Sequence, residues 1–230
     1  MSKESSLPVS FDGTVRLFPL PNVVLFPRMT LPLHVFEPRY REMTTDALAD
    51  DRLITMVLLK PGWEMDYGGK PAVHRVACIG RIMGQSVLDD GRYHLLLQGL
   101  NRVRIVRELD NDKLYRLARV ELLADAAPDE AHTSENQRKD LAARLGVWLS
   151  TMGLDPDRLM KLCRSDVPAG TLADMVSFIL PLDFEFKQKL LEELHPERRL
   201  GRLLDYLEKN EPPTASSLEQ RDFPPDFSAN

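Results

Sequence analysis

The side chains able to do chemistry are scattered through this 230-residue sequence rather than gathered. His34, His74, His94, His132 and His195 show neither H-x-H nor H-E-x-x-H spacing, so no metal site is expected from them. Cys78 and Cys163, the only cysteines, lie outside any C-x-x-C arrangement. They read as reduced structural thiols, and Cys163, although followed by Arg164, has no partner base to activate it. Asp89-Asp90 and Glu192-Glu193 are acidic neighbours, but two catalytic carboxylates must flank one substrate, which adjacency does not provide. A phosphate-binding loop needs glycine where Glu64 precedes the only Gly-Lys pair, Gly69-Lys70. The expectation is a chain with no catalytic residue, no metal and no cofactor.

Binding is therefore the alternative to catalysis. Arg102, Arg104 and Arg107 approach an RNA-binding stripe, with the arginines Arg102 and Arg104 expected outward and Val103 and Ile105 inward. Glu108, Asp110 and Asp112 offset that charge, and no aromatic residues interleave for base stacking. The formal net charge of −5 and a pI near 5.6 give no general attraction to nucleic acid or anionic lipid. The first ten residues lack a signal-peptide core, and no run of ~18 apolar residues occurs. A cytoplasmic protein is expected, with no membrane partner.

The elements that must carry any binding surface are β-strands first and helices later. Pro19, Pro21, Pro27, Pro32 and Pro38 interrupt the apolar stretch Leu17–Met43, which excludes one continuous helix and leaves short or edge strands. A strand over Val15–Leu20 and a helix over Pro38–Ala49, with Tyr40, Met43, Ala47 and Leu48 on one face, follow. Leu53–Leu59 reads as a strand buried on both faces. Trp63 and Tyr67 lie in a loop and are expected to cover a barrel end. Val73–Leu88 is a bent strand with bulges at Gly80 and Gly84, turned back at Asp89-Asp90-Gly91 into a strand from Arg92. After a last strand at Leu114–Leu123, apolar stripes of period 3.6 predict helices. Leu141, Leu145, Trp148, Leu149 and Met152 form one, with Ser134 as its cap and Gly153 as its stop; Leu172, Val176 and Ile179 form another. Further helices start at Asp155-Pro156, Asp183 and Pro196.

The pattern F-P-L-x-x-V-V-L-F-P-x-M-x-L-P-L-x-V-F-E-x-R-Y, from Phe18 to Tyr40, resembles the opening of the Lon amino-terminal domain family. This is the substrate-binding domain attached to Lon proteases and also found as a stand-alone protein. The strand Leu97–Ile105 is similar too, as are Leu172-Ala173-Asp174, Leu180-Pro181-Leu182 and Lys187-Gln188-Lys189-Leu190-Leu191-Glu192. The resemblance runs over roughly residues 15–209. It implies an α+β fold: a six- or seven-stranded PUA-like pseudobarrel with one helix over 13–123, then a helical bundle over 134–209, with 1–12 and 210–230 as flexible termini. The chain stops about where the family's substrate domain stops, so the stand-alone form without ATPase and protease modules is expected.

The resemblance implies a non-catalytic module for unfolded or hydrophobic polypeptides, acting as adaptor or holdase beside a separate protease or chaperone. Binding then requires apolar surface that a folded protein does not normally expose. Phe26, Pro27 and Met29 on one loop, and Met83, Val87 and Leu88 at the hairpin end, are the candidates. RNA binding through the barrel is the alternative.

Overall fold

Prolines decide where the first strands can pair. In the computed structural model, which describes residues 7–127, 134–152, 157–163 and 165–212, β1 (Thr14–Leu20) pairs with the last barrel strand only through Leu17. Pro19 lies beyond that ladder, so its missing N–H interrupts none of it. β2 (Thr30–Val35) carries Pro32 and stands at a sheet edge with a single neighbour. Pro38 opens α1 (Pro38–Ala49), where Tyr40, Met43 and Ala47 are buried and the Tyr40 hydroxyl donates to the Pro19 carbonyl at 3.2 Å.

Two compact units result, residues 1–124 with 184–192, and residues 125–183 with 193–230. The first is a six-stranded sheet in which five strands close into a ring and β2 is attached at an edge. β3 (Leu53–Leu58), buried at every residue, runs parallel to β1 and antiparallel to β4 (Val76–Val87). β5 (Tyr93–Leu109) pairs with β4, and β6 (Arg116–Leu123) closes the ring against both β5 and β1. Val15, Leu17, Leu53, Val57, Ala77, Ile79, Val103, Ile105, Ala118 and Val120 fill it. The β4–β5 register shifts at Gly80 and before Gly84, the two positions expected to bulge.

The 17-residue β5 serves three partners. Tyr93–Gln98 pair with β2, Arg102–Leu109 pair with β6, and the change falls near Gly99. There the chain entering β2 crosses tightly: Gly99 N–H donates to the Met29 carbonyl at 2.8 Å and its carbonyl accepts from Arg28 N–H at 2.7 Å. A Cβ at Gly99 would run into the Phe26 carbonyl and come within 3.2 Å of Cys78 Sγ.

The second unit contains α2 (Ser134–Thr151), α3 (Asp157–Cys163), α4 (Ala169–Ile179) and α6 (Pro196–Lys209). Its largely apolar core encloses one buried charge cluster. Arg199, fully buried, donates to Asp174 at 3.0 Å, to Asp125 at 2.5 Å, and to the carbonyls of Gly170 and Glu193. One guanidinium thus joins the segment entering the unit, α4 and α6. The apolar stripe of α2 packs as expected, with Leu141, Leu145, Trp148 and Leu149 buried.

Several expectations need correction. Helix α5 (Phe184–Glu192) falls inside the span 134–209 expected for the bundle but belongs to the barrel unit. Gln188 Nε2 donates to the Val76 carbonyl at 2.9 Å, and Arg102 Nε donates to the Leu191 carbonyl at 2.9 Å. The same helix overturns the outward, solvated Arg102: covered by α5, it is only 3% exposed. Leu7 and Phe11 pack against the barrel core, so the described part of residues 1–12 is not loose. Ile179 is 47% exposed, because the buried stripe of α4 continues to Leu180, one turn beyond Val176. The Ser134 side chain, Gly153, Asp155-Pro156, His132, Arg164, residues 1–6 and the tail from residue 213 lie outside the described residues.

Two outcomes follow. Gly99→Ala is expected to cost ~1–3 kcal/mol by overpacking, as a lower urea midpoint at unchanged slope. Arg199→Leu removes the buried donor shared by Asp174, Asp125 and the carbonyls of Gly170 and Glu193, and is expected to cost ~3–5 kcal/mol. Trp148, buried in the same unit, reports it by fluorescence in a Trp63→Phe background.

Candidate functional site

β4 and β5 are longer than the barrel needs. β3 leaves β4 at Arg81 and β6 leaves β5 at Arg102, so β4 from Met83 onward, the first half of β5 and β2 form a three-stranded extension. Its tip is the turn Leu88–Arg92, in which Gly91 takes φ +78° and its N–H donates to the Leu88 carbonyl at 2.8 Å. Alternation gives the extension two faces. Leu33, Val35, Leu95 and Leu97 are buried on one, while Leu96 is 48% exposed on the other, opposite the exposed Pro32 and across from Gly84. Met83, the extra residue at the second bulge, is 42% exposed, and Val87 is 61% exposed.

The six candidate residues therefore separate. Met83, Val87 and Leu88 share the projecting hairpin, with Leu88 half-buried in its turn. Pro27 and Met29 are half-buried in a tight turn where Met29 N–H donates to the Phe26 carbonyl at 3.2 Å. Arg28, the residue after the proline, adopts φ +68°, a conformation that glycine occupies more easily. Phe26 leaves the candidate surface: its side chain is completely buried, because the crossing at Gly99 draws its backbone into the core.

Leu96, Pro32 and a histidine pair were not singled out in the sequence. Leu96 lies inside Leu95-Leu96-Leu97, an all-apolar run in which nothing marks the outward residue. His34 and His94 are 60 positions apart but directly opposed across β2 and β5, their rings 4.8 Å apart, with Phe36 stacked on His34 at 5.8 Å. Burial, the Arg92 guanidinium and His94 lower the pKa of His34, against a smaller opposing effect of Asp90. The Arg92 guanidinium points Nη1 at His34 Nε2, 3.3 Å away, an arrangement that suits a neutral ring accepting that bond.

The aromatic loop serves a different purpose. Tyr67 donates to Glu37 at 2.8 Å, and Arg39 lies over the rings of both Tyr40 and Tyr67, 4.7 and 4.9 Å from their centroids. Burial first, then the bond to Glu37, pushes the Tyr67 phenol up to about 12. Trp63 meets Tyr67 edge-on at 5.6 Å. Both rings are half-buried. Cys78 and Cys163 are buried and form no disulfide. Among the described residues no three His, Cys, Asp or Glu side chains gather in a way that could hold a metal, and no helix is long and apolar enough to cross a membrane.

A six-stranded sheet with five strands closed into a ring, carrying helices α1 and α5, and a separate helical unit define a PUA-like α+β architecture. Residues 14–209 match the family model of the ATP-dependent protease La (LON) substrate-binding domain, and the chain belongs to that family. The Lon protease of Roseiflexus castenholzii is 30% identical over 203 residues, 88% of this chain and 25% of its own length. That of Dictyoglomus thermophilum is 25% identical over 191 residues, 83% of this chain and 24% of its own. The chain spans about a quarter of the length of the curated relatives it matches. A Lon N-terminal domain protein from Xanthomonas campestris superposes with a TM-score of 0.61 at 26% identity, covering 84% of this chain and 98% of that one. The N-terminal domain of a Mycobacterium avium complex Lon protease gives 0.68 over 86% of this chain and 99% of that one; at 16% identity the likeness is one of fold.

The histidine pair yields a pH prediction. A histidine whose pKa is lowered by folding binds its proton less readily in the folded state than in the unfolded one. Its contribution to stability is therefore complete above ~6.5 and is lost as pH falls from there through the folded value. An NMR titration is expected to place His34 below the ordinary value, and Arg92→Ala to move it back up.

Proposed function

We propose that this protein is a polypeptide-binding module that takes up unfolded or hydrophobic segments on the β2–β5–β4 extension. The observation that carries the reading is the exposure of Met83, Val87 and Leu96 on a hairpin that projects past the closed part of its own barrel. An unfolded chain displays the apolar side chains that such a surface lacks. Covering roughly 300 Å² of apolar surface contributes about 7 kcal/mol before ordering costs, so a larger covered area or added backbone bonds must accompany it for tight capture. Flexible Met83 and Leu96 can repack against differing partners, which suits promiscuous recognition. Membership in the Lon substrate-binding family supports the same reading.

In this proposal the protein acts in the cytoplasm as an adaptor or holdase, and passes its cargo to a separate protease or chaperone. Two buried cysteines outside any disulfide are at home in a reducing compartment. Arg102 is withdrawn under α5, which leaves Arg104 and Arg107 exposed on that strand and weakens the basic stripe that RNA binding would need.

Fluorescence anisotropy tests this with a labelled unfolded polypeptide, a folded control and a single-stranded RNA, each at low and high salt. Binding confined to the unfolded chain and unaffected by salt is expected, since apolar burial persists where phosphate contacts lose their counterion advantage. Met83→Ser with Leu96→Ser is expected to weaken it roughly tenfold or more, with little change in thermal stability because both side chains are already exposed. Binding to RNA alone, abolished by salt, sinks the proposal.

A further inference from the structure

The extension has two free strand edges, and they differ. On the β2 side, the Gly99–Met29 bond sets the phase of the ladder, so Thr30, Pro32 and His34 turn their backbone groups away from β5. Pro32 therefore stands in the middle of that edge with no N–H to offer, which blunts it against pairing. On the other side, β3 stops pairing with β4 at Arg81, and Arg52 closes the junction: its carbonyl accepts from Ile82 N–H at 2.9 Å and its Nε donates to the Ile82 carbonyl at 3.1 Å. Beyond Ile82 no strand pairs with the edge, and the same guanidinium holds the Gln85 side chain through an Nη2 donor at 2.6 Å, leaving the Gln85 backbone groups unused. Leu88 N–H donates to the Arg92 carbonyl, which makes Ser86 and Gly84 the residues bonded to β5 and turns the N–H and C=O of Gln85 and Val87 outward. Among the described residues nothing pairs with them, and no proline guards this edge.

We infer that the β4 edge from Met83 to Val87 binds an extended polypeptide segment by strand addition, with backbone bonds to Gln85 and Val87. This rests on the polypeptide-binding reading and gives it a mode. Outward N–H and C=O groups two residues apart match the repeat of another extended backbone, whatever its sequence. Side-chain preference then comes from both faces. A residue of the added strand beside Gly84 meets no side chain there and reaches Leu96 across the bare glycine; one beside Val87 lies against that exposed side chain on the opposite face. The preferred segment thus carries apolar residues three positions apart. Asp89, exposed at the tip, favours a basic residue at that end. A second copy of this chain is the poorer occupant. Two outward-facing residues on each side make an edge-to-edge contact far below the ~1,200 Å² of a stable interface.

The test uses the full chain and a fluorescein-labelled synthetic peptide of about nine residues, threonine throughout except for two valines three positions apart, with lysine at one end. Val87→Pro removes an outward N–H without breaking a bond to β5, and is expected to weaken binding roughly tenfold; Val87→Thr keeps the N–H and is expected to stay within about threefold. Because the proline variant could disturb the hairpin, peptides N-methylated at alternate residues provide a second reading on the native protein. One phase is expected to lose binding and the other to keep it. Equal binding by both phases, or by Val87→Pro and native protein, overturns strand addition while unfolded-chain binding stands. No binding of either peptide or unfolded polypeptide overturns both readings. A dimer dispersed by Val87→Pro, without peptide affinity, assigns the edge to self-association instead.

Discussion

A single strand with three partners organises the barrel unit. β5 cannot keep β2 and β6 on the same side at the same height, so it must change partner along its length, and the change occurs at a residue without a side chain. Gly99 lets the backbone around Phe26 cross against it, and the two bonds exchanged with Arg28 and Met29 hold the crossing in place. Beyond that point β5 belongs to a closed ring with a filled core. Before it, the same strand leads into an extension that the ring does not cover. The exposed surface proposed to bind polypeptide is thus the direct consequence of a partner switch: the half of β5 that serves β2 is the half that β6 cannot reach.

Burying charge is the second recurring device. Arg102 lies on the outer side of the barrel wall, where a solvated arginine would cost nothing, yet it is covered by α5 and donates to a helix carbonyl. With Gln188 bonded to the backbone of β4, it ties a helix late in the sequence to the barrel. Arg199 does the same within the helical unit, where its guanidinium joins the entering segment, α4 and α6. Such groups stabilise little relative to apolar residues of the same size, but misplacing any of their partners leaves a charge unpaired in the interior. Each therefore favours one arrangement over its near alternatives. Gly170 fits this need: a Cβ there would fall 2.8 Å from Asp125 Oδ2 and 3.2 Å from Arg199 Nη1.

The extension shows how a surface can stay apolar in a folded protein. Most of its apolar residues face the buried side, and the exposed ones are interleaved with His34, His94 and Ser86 on one face and Gln85 on the other. Pro32 protects one edge. The other is short and ends at a turn with two aspartates, features that limit uncontrolled pairing while leaving room for a single strand.

Much of this was legible along the chain. Proline spacing determined where β1 and β2 stop and where α1 starts, because proline fixes φ and removes a donor whatever surrounds it. Glycines marked both bulges and the hairpin turn for the same local reason, and the continuous apolar run of β3 revealed its burial on both faces. Methionine and valine near the hairpin end identified part of the exposed surface. What the tertiary structure alone decided are the features that depend on which strand lies beside which. Phe26 and Leu96 are both apolar and next to apolar neighbours, yet one is core and the other surface, because the crossing at Gly99 and the phase of β5 decide where each side chain points. His34 meets His94 only through the β2–β5 register, Arg102 is buried only because a distant helix covers it, and the β4 edge is open only because β3 ends first. Local sequence sets dihedral preference and periodicity; partnership between distant strands is set by packing the whole chain at once.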